Sequence, residues 1–293
     1  MSVNTDNKKL HALISLLDDP DLEIFKQITG QIISYGIDAV PLLQEKWENT
    51  FESELQKRIE NIIHTIQFTQ TCQDLENWVK FGSMNLLMGY IILSKYQYPD
   101  INEEEIRKNL EKIKQDIWLE LNTQLTSIEK INVFNHVFYS VAGFSANTAN
   151  IHSPQHFYLN TVLESKKGNS LSLGIIYSII AQNLGLPVYG VNLSDHFILA
   201  YTNQSAEEQI SAEICKEILF YINPFNKGAI FAKEALDLYI EQHKLKPKIE
   251  YYLPCSAIVI MKRLIGNLIR SYEKIGNTAN LSELEILFKI LDQ

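Results

Sequence analysis

The run 171–184 constrains the fold most, because its sequence, LSLGIIYSIIAQNL, is apolar on nearly every side of a helix. A helix without a polar face must lie at the centre of a domain, where no side of it meets water. The turn 185–187 ends this helix, and three strand-like runs follow, 188–193, 197–201 and 218–222. One buried helix followed by a small antiparallel sheet predicts a domain of the α+β class.

The first part of the chain has a different pattern, with apolar residues at helical spacing. Apolar faces run through 10–17, 24–33, 40–47 and 55–66, with turn residues between them. The run LISLLDDPD and the later run AVPLL resemble a HEAT-type repeat, which would give two weak copies of a helix pair. A bundle of four amphipathic helices fits the same residues equally well. Both alternatives make this segment architectural, because each helix pair must bury its apolar face against a neighbour.

Most of the remaining sequence is also helical in pattern. We predict one long apolar helix over 75–94, and a further helix that Asn102 caps, with acidic residues in its first turn. After the sheet, apolar spacing predicts helices over 227–243, 256–275 and 281–291. The protein is therefore expected to be predominantly helical, with the small antiparallel sheet packed on the central helix.

Charge and hydropathy exclude two classes of partner. The chain has 293 residues and a formal net charge of −9, and no run of Lys or Arg is longer than two. Since phosphate contacts need clustered basic residues, we expect no nucleic acid partner. The most apolar stretch, 86–93, is far shorter than the roughly 20 residues that cross a bilayer. We therefore expect no membrane partner and a cytoplasmic location.

The sequence offers no site for a metal or a cofactor. Cys72, Cys215 and Cys255 lie far apart, which predicts neither a disulfide framework nor a zinc site. His152 and His156 have the spacing of metal ligands on a helix, but a proline between them disfavours a regular helix there. We expect neither a metal nor a cofactor.

Several short motifs, taken together, resemble the SirB-type transglutaminase-like family over about residues 72–275. They are the runs YLNTVLE at 158–164, GNSLSL at 168–173, GLP at 185–187, GVN at 190–192, HF at 196–197 and NPFNKG at 223–228. The resemblance implies a papain-like core, and a helical tail that is similar to a truncated tetratricopeptide region. It divides the chain into a HEAT-like segment at 1–70, a transglutaminase-like core at 71–230 and a helical tail at 231–293.

In such enzymes a Cys begins the central helix, a His follows on the next strands, and an Asp or Asn comes after that. A helix N-terminus lowers the pKa of a thiol, and the imidazole completes a thiolate–imidazolium pair. Here the resemblance assigns these three positions to Ser170, His196 and Asn223, and the Pro-Gly usual before the His is Ser194-Asp195. We interpret Ser170 as an N-cap, since a hydroxyl needs a general base and an oxyanion hole to act as a nucleophile.

The family pattern also implies a set of residues that brace the cleft around Ser170. These candidates are Asn160, Glu164, Gly168, Ser172, Asn192 and Phe225. In particular, Asn160 and Glu164 lie four residues apart and would support the loop before Ser170. Gly168 would supply either a positive φ or a close approach of the backbone.

We therefore predict a non-catalytic protein, a pseudoenzyme that acts as a protein-interaction or scaffold module with an unidentified protein partner. The alternative is a hydrolase or acyltransferase that uses Ser170, His196 and Asn223. The two hypotheses differ in one observable, which is whether Ser170 Oγ lies within hydrogen-bond reach of His196.

Overall fold

The computed structural model describes residues 2–149, 153–194, 196–203 and 218–292. The chain divides into two compact units, Met1–Glu76 and Asn77–Gln293. The predicted boundary at residue 70 lies inside the helix Ser53–Asn77. The boundary between the two units comes at the end of this helix, between Glu76 and Asn77. The predicted segment 71–230 lies in the second unit from residue 77 onward, and the predicted segment 231–293 lies wholly within it.

The described residues of the first unit form helices joined by turns. Its helices are α1 (Ser2–Ser15), α2 (Leu22–Ser34), α3 (Val40–Glu48) and α4 (Ser53–Asn77). Asp21 caps α2 by accepting from the amides of Glu23 and Ile24, as expected for an Asp before an apolar run. The apolar faces meet in one core that includes Leu17, Ile32, Leu43 and Ile59.

The second unit surrounds one central helix. Its helices are α5 (Leu86–Gln97), α6 (Glu103–Glu120), α7 (Ser127–Asn135), α8 (Leu159–Ser165), α9 (Ser170–Asn183), α10 (Lys233–Gln242), α11 (Ala257–Ile275) and α12 (Thr278–Ile290). Every residue from Leu171 to Ala181 on α9 is buried, which confirms the central helix. Asn102 caps α6 as predicted, by accepting from the amides of Glu104 and Glu105. None of the described helices is both long and apolar enough to span a bilayer.

The single helix predicted over 75–94 is wrong. A π-helical segment, Trp78–Gly82, follows α4, and α5 begins only after Asn85, whose side chain accepts from the Met88 amide at 3.0 Å. Trp78 stabilises this break, because its indole N–H donates to the Asn85 carbonyl at 2.8 Å. Apolar spacing alone did not reveal the break, since the residues on both sides of it are apolar.

The main sheet of the second unit has four antiparallel strands, which are neighbours in the same order as in the sequence. Its strands are β3 (Val188–Asn192), β4 (Phe197–Thr202), β5 (Ile218–Asn223) and β6 (Ala229–Phe231). A separate parallel pair joins β1 (Ser145–Ala146) to β2 (Lys167–Gly168). The three predicted strands are confirmed, but the helix predicted from residue 227 is wrong at its start. The chain turns at Gly228, with φ of +71°, and adds β6 before α10 begins at Lys233.

The two faces of this sheet contact different helices. On one face, Phe197 packs so closely on α9 that a Cβ at Gly174 would lie 2.7 Å from its ring. On the other face, Ile198 packs in one cluster with Leu236 and Ile240 of α10. Because side chains alternate along a strand, consecutive residues of β4 face opposite helices. The fold is thus the predicted α+β arrangement, a buried helix on a small antiparallel sheet within a mainly helical chain.

Candidate functional site at the start of the central helix

Asn169, and not Ser170, caps the central helix. Its Oδ1 accepts from the amides of Leu171 at 3.0 Å and Ser172 at 2.9 Å. In return, Ser172 Oγ accepts from the Asn169 amide at 3.0 Å, which completes a capping box. The helix begins at Ser170 as predicted, but the interpretation of Ser170 as the N-cap is wrong. The cap position requires extended backbone, and Asn169 has it, with φ of −88° and ψ of 178°.

Ser170 is the first residue of the helix and is half-buried. Its hydroxyl makes no hydrogen bond with any residue of the described ranges. Ser170 shares a helix face with Gly174 and Tyr177, four and seven residues further on. That face contacts Phe197 and Pro224, since a Cβ at Gly174 would lie 3.3 Å from Pro224 Cγ.

His196 lies on the other side of the sheet. Its ring is exposed and makes an edge contact with Tyr239 of α10, with 5.5 Å between ring centroids and 73° between planes. Tyr239 belongs to the cluster that covers the face opposite α9. The structure therefore does not bring His196 together with Ser170, contrary to what the resemblance implied. Asp195, its neighbour in sequence, lies outside the described residues.

Asn223 is engaged in its own turn. Its Oδ1 accepts from the amides of Phe225 at 3.0 Å and Asn226 at 3.2 Å, and its carbonyl accepts from Gly228 at 3.0 Å. This arrangement is typical of an Asn that precedes a proline in a turn. Phe225 contributes a backbone amide to the turn and is half-buried. The side-chain oxygen of Asn223 therefore holds the turn, and it is not directed at an imidazole.

Three residues that the sequence analysis missed tie this turn to the helices. Asn135 Nδ2 donates to the Gly228 carbonyl at 2.8 Å, and the Tyr177 hydroxyl donates to Asn135 Oδ1 at 2.9 Å. The Tyr139 hydroxyl donates to the Pro224 carbonyl at 2.9 Å. Burial raises the pKa of both tyrosines well above its usual range, so both phenols are neutral donors. Nothing in the sequence pointed to Asn135.

Gly168 and Asn192 stabilise the local backbone. A Cβ on Gly168 would lie 2.6 Å from Ser172 Oγ, so the capping box requires glycine there through close approach and not through a positive φ. Asn192 accepts from the guanidinium of Arg263, which also donates to the carbonyls of Leu193 at 2.5 Å and Ser194 at 3.2 Å. Arg263, another residue that the sequence analysis missed, therefore fixes the turn between β3 and β4.

Asn160 and Glu164 are not seen to brace the loop before Ser170. Both lie on α8 and line a cavity with Tyr98 and the first turn of α6. No hydrogen bond of the described residues joins either side chain to residues 166–169.

Neither described cysteine lies at the start of α9. Cys255 follows the sheet, where its thiol donates to the Gly190 carbonyl at 3.2 Å, and burial raises its pKa to about 12. Cys72 lies on α4 in the first unit, and Cys215 lies outside the described residues. Over the described ranges, no group of three His, Cys, Asp or Glu side chains could hold a metal ion. His152 is also outside them, and His156 contacts the Asn147 side chain.

Comparison with known proteins assigns the fold to a family. Residues 104–266, more than half of the chain, match the family model described as the transglutaminase-like superfamily. The chain therefore belongs to the transglutaminase-like superfamily.

The similar proteins are bacterial and animal. A UPF0162 protein of Vibrio cholerae is 27% identical over 173 residues, which cover 57% of this chain and 60% of that protein. Human F-box only protein 21 is 26% identical over 151 residues, which cover 52% of this chain and 22% of that protein. The matched region thus spans less than two thirds of either relative. No solved structure gave a significant match.

Proposed function

We propose that this chain is a non-catalytic transglutaminase-like protein that acts as a protein-interaction or scaffold module. The observation that carries the proposal is the position of His196, whose ring contacts Tyr239 on the sheet face opposite the central helix. In this proposal Ser170 occupies the position of the ancestral thiol. The proposal includes SirB-type membership, HEAT-like helices at 1–70, a tetratricopeptide-like tail at 231–293 and a cytoplasmic location.

The chemistry of acyl transfer supports the absence of catalysis. A serine becomes a nucleophile only when a general base lies within hydrogen-bond reach of its hydroxyl. His196 is directed at α10, and Asn223 uses its side-chain oxygen within its own turn. The capping box at Asn169 also engages the amides of Leu171 and Ser172, which would otherwise be candidate donors to an oxyanion. The same observations disfavour the alternative hydrolase or acyltransferase.

An interaction role is supported by exposed apolar side chains. Trp118 and Leu119, at the end of α6, are 64% and 73% exposed, and Phe81 and Met84 are exposed in the turn before α5. Trp118 and Leu119 are adjacent, and adjacent exposed apolar side chains can form part of a surface that contacts another protein. The match to F-box only protein 21 covers 22% of that protein, which indicates that this kind of domain also occurs inside a larger chain.

A labelling experiment tests the lack of catalysis. The purified full chain is incubated with a fluorophosphonate probe, which modifies serine hydroxyls that a general base activates. We expect no labelling of Ser170 above that of a heat-denatured sample, while a serine hydrolase added to the same tube is labelled. Labelling of wild type that is lost in both Ser170→Ala and His196→Ala would contradict the proposal.

A further inference from the structure

The imidazole of His156 joins two segments beside the start of α9. His156 belongs to a short 3₁₀-helix, Pro154–Phe157, and its Nε2 contacts the side-chain nitrogen of Asn147, just after β1. The His156 carbonyl accepts from Nδ2 of Asn169, the residue that caps α9, at 3.3 Å. The backbone amide of Asn147 donates to the Gly168 carbonyl at 2.9 Å. The ring therefore belongs to a set of contacts that holds the segment after β1 to the start of α9.

The orientation of Asn147 sets the protonation state of His156 in this contact. Asn147 Oδ1 accepts from the Ala149 amide at 3.1 Å, so the side-chain nitrogen is the atom that contacts the imidazole. An amide N–H can donate to Nε2 only when that ring nitrogen carries no proton. A proton on Nε2 would place two donors against each other, and turning the amide over would break the bond to Ala149. The contact therefore forms with neutral His156 and not with the imidazolium.

The charges that reach His156 also favour the neutral ring. Partial burial, and then the positive charge of Lys167 on β2, lower the pKa of His156. Among the described residues, the imidazole forms no ion pair with a carboxylate. Within these ranges no neighbouring anion thus stabilises the protonated ring.

The helices that pack against this 3₁₀-helix direct their titratable groups elsewhere. Besides β2, it packs on α8, α9 and α11. The central helix α9 contains no charged residue, and its Tyr177 donates to Asn135. Glu164 of α8 lines the cavity beside Tyr98. Neither α8 nor α9 therefore places a charge on the imidazole.

The charged residues of α11 are paired or exposed. Lys262 forms an ion pair with Asp292 at 2.7 Å, and Arg263 binds the turn between β3 and β4. The Tyr272 hydroxyl shares a hydrogen bond with the Tyr158 hydroxyl. The remaining charged residues of this helix are exposed, namely Arg270, Glu273 and Lys274. The lysine of β2 is thus the charged residue of these elements that acts on the imidazole.

We propose that His156 is a pH-sensitive switch, which holds Asn147 and the segment after β1 to the start of α9 at neutral pH and releases them in mild acid. Because the pKa of the ring is lowered in the folded chain, the unfolded chain binds this proton first as the pH falls. The contact therefore contributes its full stability above about pH 6.5, the ordinary imidazole pKa, and this contribution is lost as the pH falls below it. This switch is separate from the proposed function, because it involves neither Ser170 nor His196.

Titration of the histidine ring protons of the full chain by NMR tests the proposal, and the signal lost in His156→Gln is assigned to His156. We expect a His156 pKa below about 6.5 in wild type. Asn147→Asp keeps an acceptor for the Ala149 amide but places a carboxylate at the ring, so it should raise this pKa by about one unit or more. A wild-type pKa at or above about 6.5, or the same pKa in Asn147→Asp as in wild type, would overturn the proposal.

Two neighbouring lysines provide a matched control. Lys167→Gln removes the charge that acts on His156 and should raise its pKa by about a few tenths of a unit. Lys166→Gln removes the adjacent charge, whose Nζ lies 4.7 Å from the centroid of the Phe144 ring, and should leave the pKa of His156 unchanged. A shift with Lys166→Gln as large as that with Lys167→Gln would contradict the proposal.

The release of Asn147 is measured in the same titration. The side-chain NH2 signals of Asn147 and the amide signal of Ala149 should shift with the midpoint of His156. The nuclear Overhauser effect between the Asn147 side chain and the His156 ring should disappear below that midpoint. In His156→Gln, whose side-chain oxygen can accept from Asn147 at every pH, the same signals should not titrate. A nuclear Overhauser effect that persists in acid, or titration of Asn147 in His156→Gln as in wild type, would show that no such switch exists.

Discussion

Gly228→Ala is expected to destabilise the second unit by about 3–5 kcal/mol. The residue has φ of +71°, and alanine in this region costs about 1 kcal/mol in strain. A Cβ at this position would also overlap the side chain of Asn135. Displacing Asn135 breaks its bond to the Gly228 carbonyl and removes the acceptor of the buried Tyr177 hydroxyl, and each loss costs about 1–3 kcal/mol.

The chain contains a matched control for this substitution. Gly276 ends α11 with φ of +73°, and nothing lies within 4 Å of a Cβ placed there. Gly276→Ala should therefore show the strain alone, at about 1 kcal/mol. Urea denaturation gives the free energy of unfolding of both variants. If both substitutions cost the same, the contact between the turn and Asn135 has no energetic role.

Phe197→Ala is expected to destabilise the protein by about 3–5 kcal/mol, whereas His196→Ala should change stability by less than about 0.5 kcal/mol. Phe197 is 0% exposed, and its ring fills the space between Gly174 of α9 and Gly190 of β3. Removing the ring leaves a cavity between the central helix and the sheet. His196 is exposed, and its ring contacts Tyr239 on the opposite face.

Comparing the variants of His196 and Phe197 tests whether these neighbouring side chains lie on opposite faces of the sheet. Phe197→Leu, which keeps most of the apolar volume, should fall between the two alanine variants. Thermal and urea denaturation of the three variants provide the measurement. A cost for His196→Ala as large as that for Phe197→Ala would mean that His196 is directed into the interface with α9, and that the two faces have been assigned wrongly.

The parts of the fold that the sequence predicts are those with a strong local signal. The run 171–184 is apolar all round, so it could only be a central buried helix, and the runs around Val191, Leu199 and Phe220 alternate or cluster as strands do. Elements without such a signal were missed. The break at 78–85 lies between two stretches with helical apolar spacing, and β6 depends on the positive φ of Gly228.

The candidate site was harder to predict, because a shift of one residue changes which side chain caps the helix and which side chain faces it. Asn169 and Ser170 are both good capping residues, and only the backbone conformation shows which of them lies outside the helix. Likewise, a shift of one residue along a strand moves a side chain to the other face of the sheet. The motif at His196 therefore did not determine on which face its ring lies. The bond between Asn135 and Gly228 joins residues 93 positions apart, a separation at which a single sequence carries no signal.

Ser170 and His196 should not form a catalytic pair, and a thiol introduced at position 170 can show this. The pH dependence of iodoacetamide modification of Ser170→Cys gives the pKa of the introduced thiol, with each cysteine peptide quantified by mass spectrometry. Cys255 should react slowly throughout, because its pKa is raised to about 12. The same titration is repeated in Ser170→Cys/His196→Ala.

We expect the same thiol pKa in both proteins, lowered only by the N-terminus of α9, because no imidazolium lies beside it. An imidazole within hydrogen-bond reach would instead stabilise the thiolate, and its removal would raise the pKa. A thiol pKa at least one unit higher in Ser170→Cys/His196→Ala than in Ser170→Cys would show instead that residues 170 and 196 form a pair.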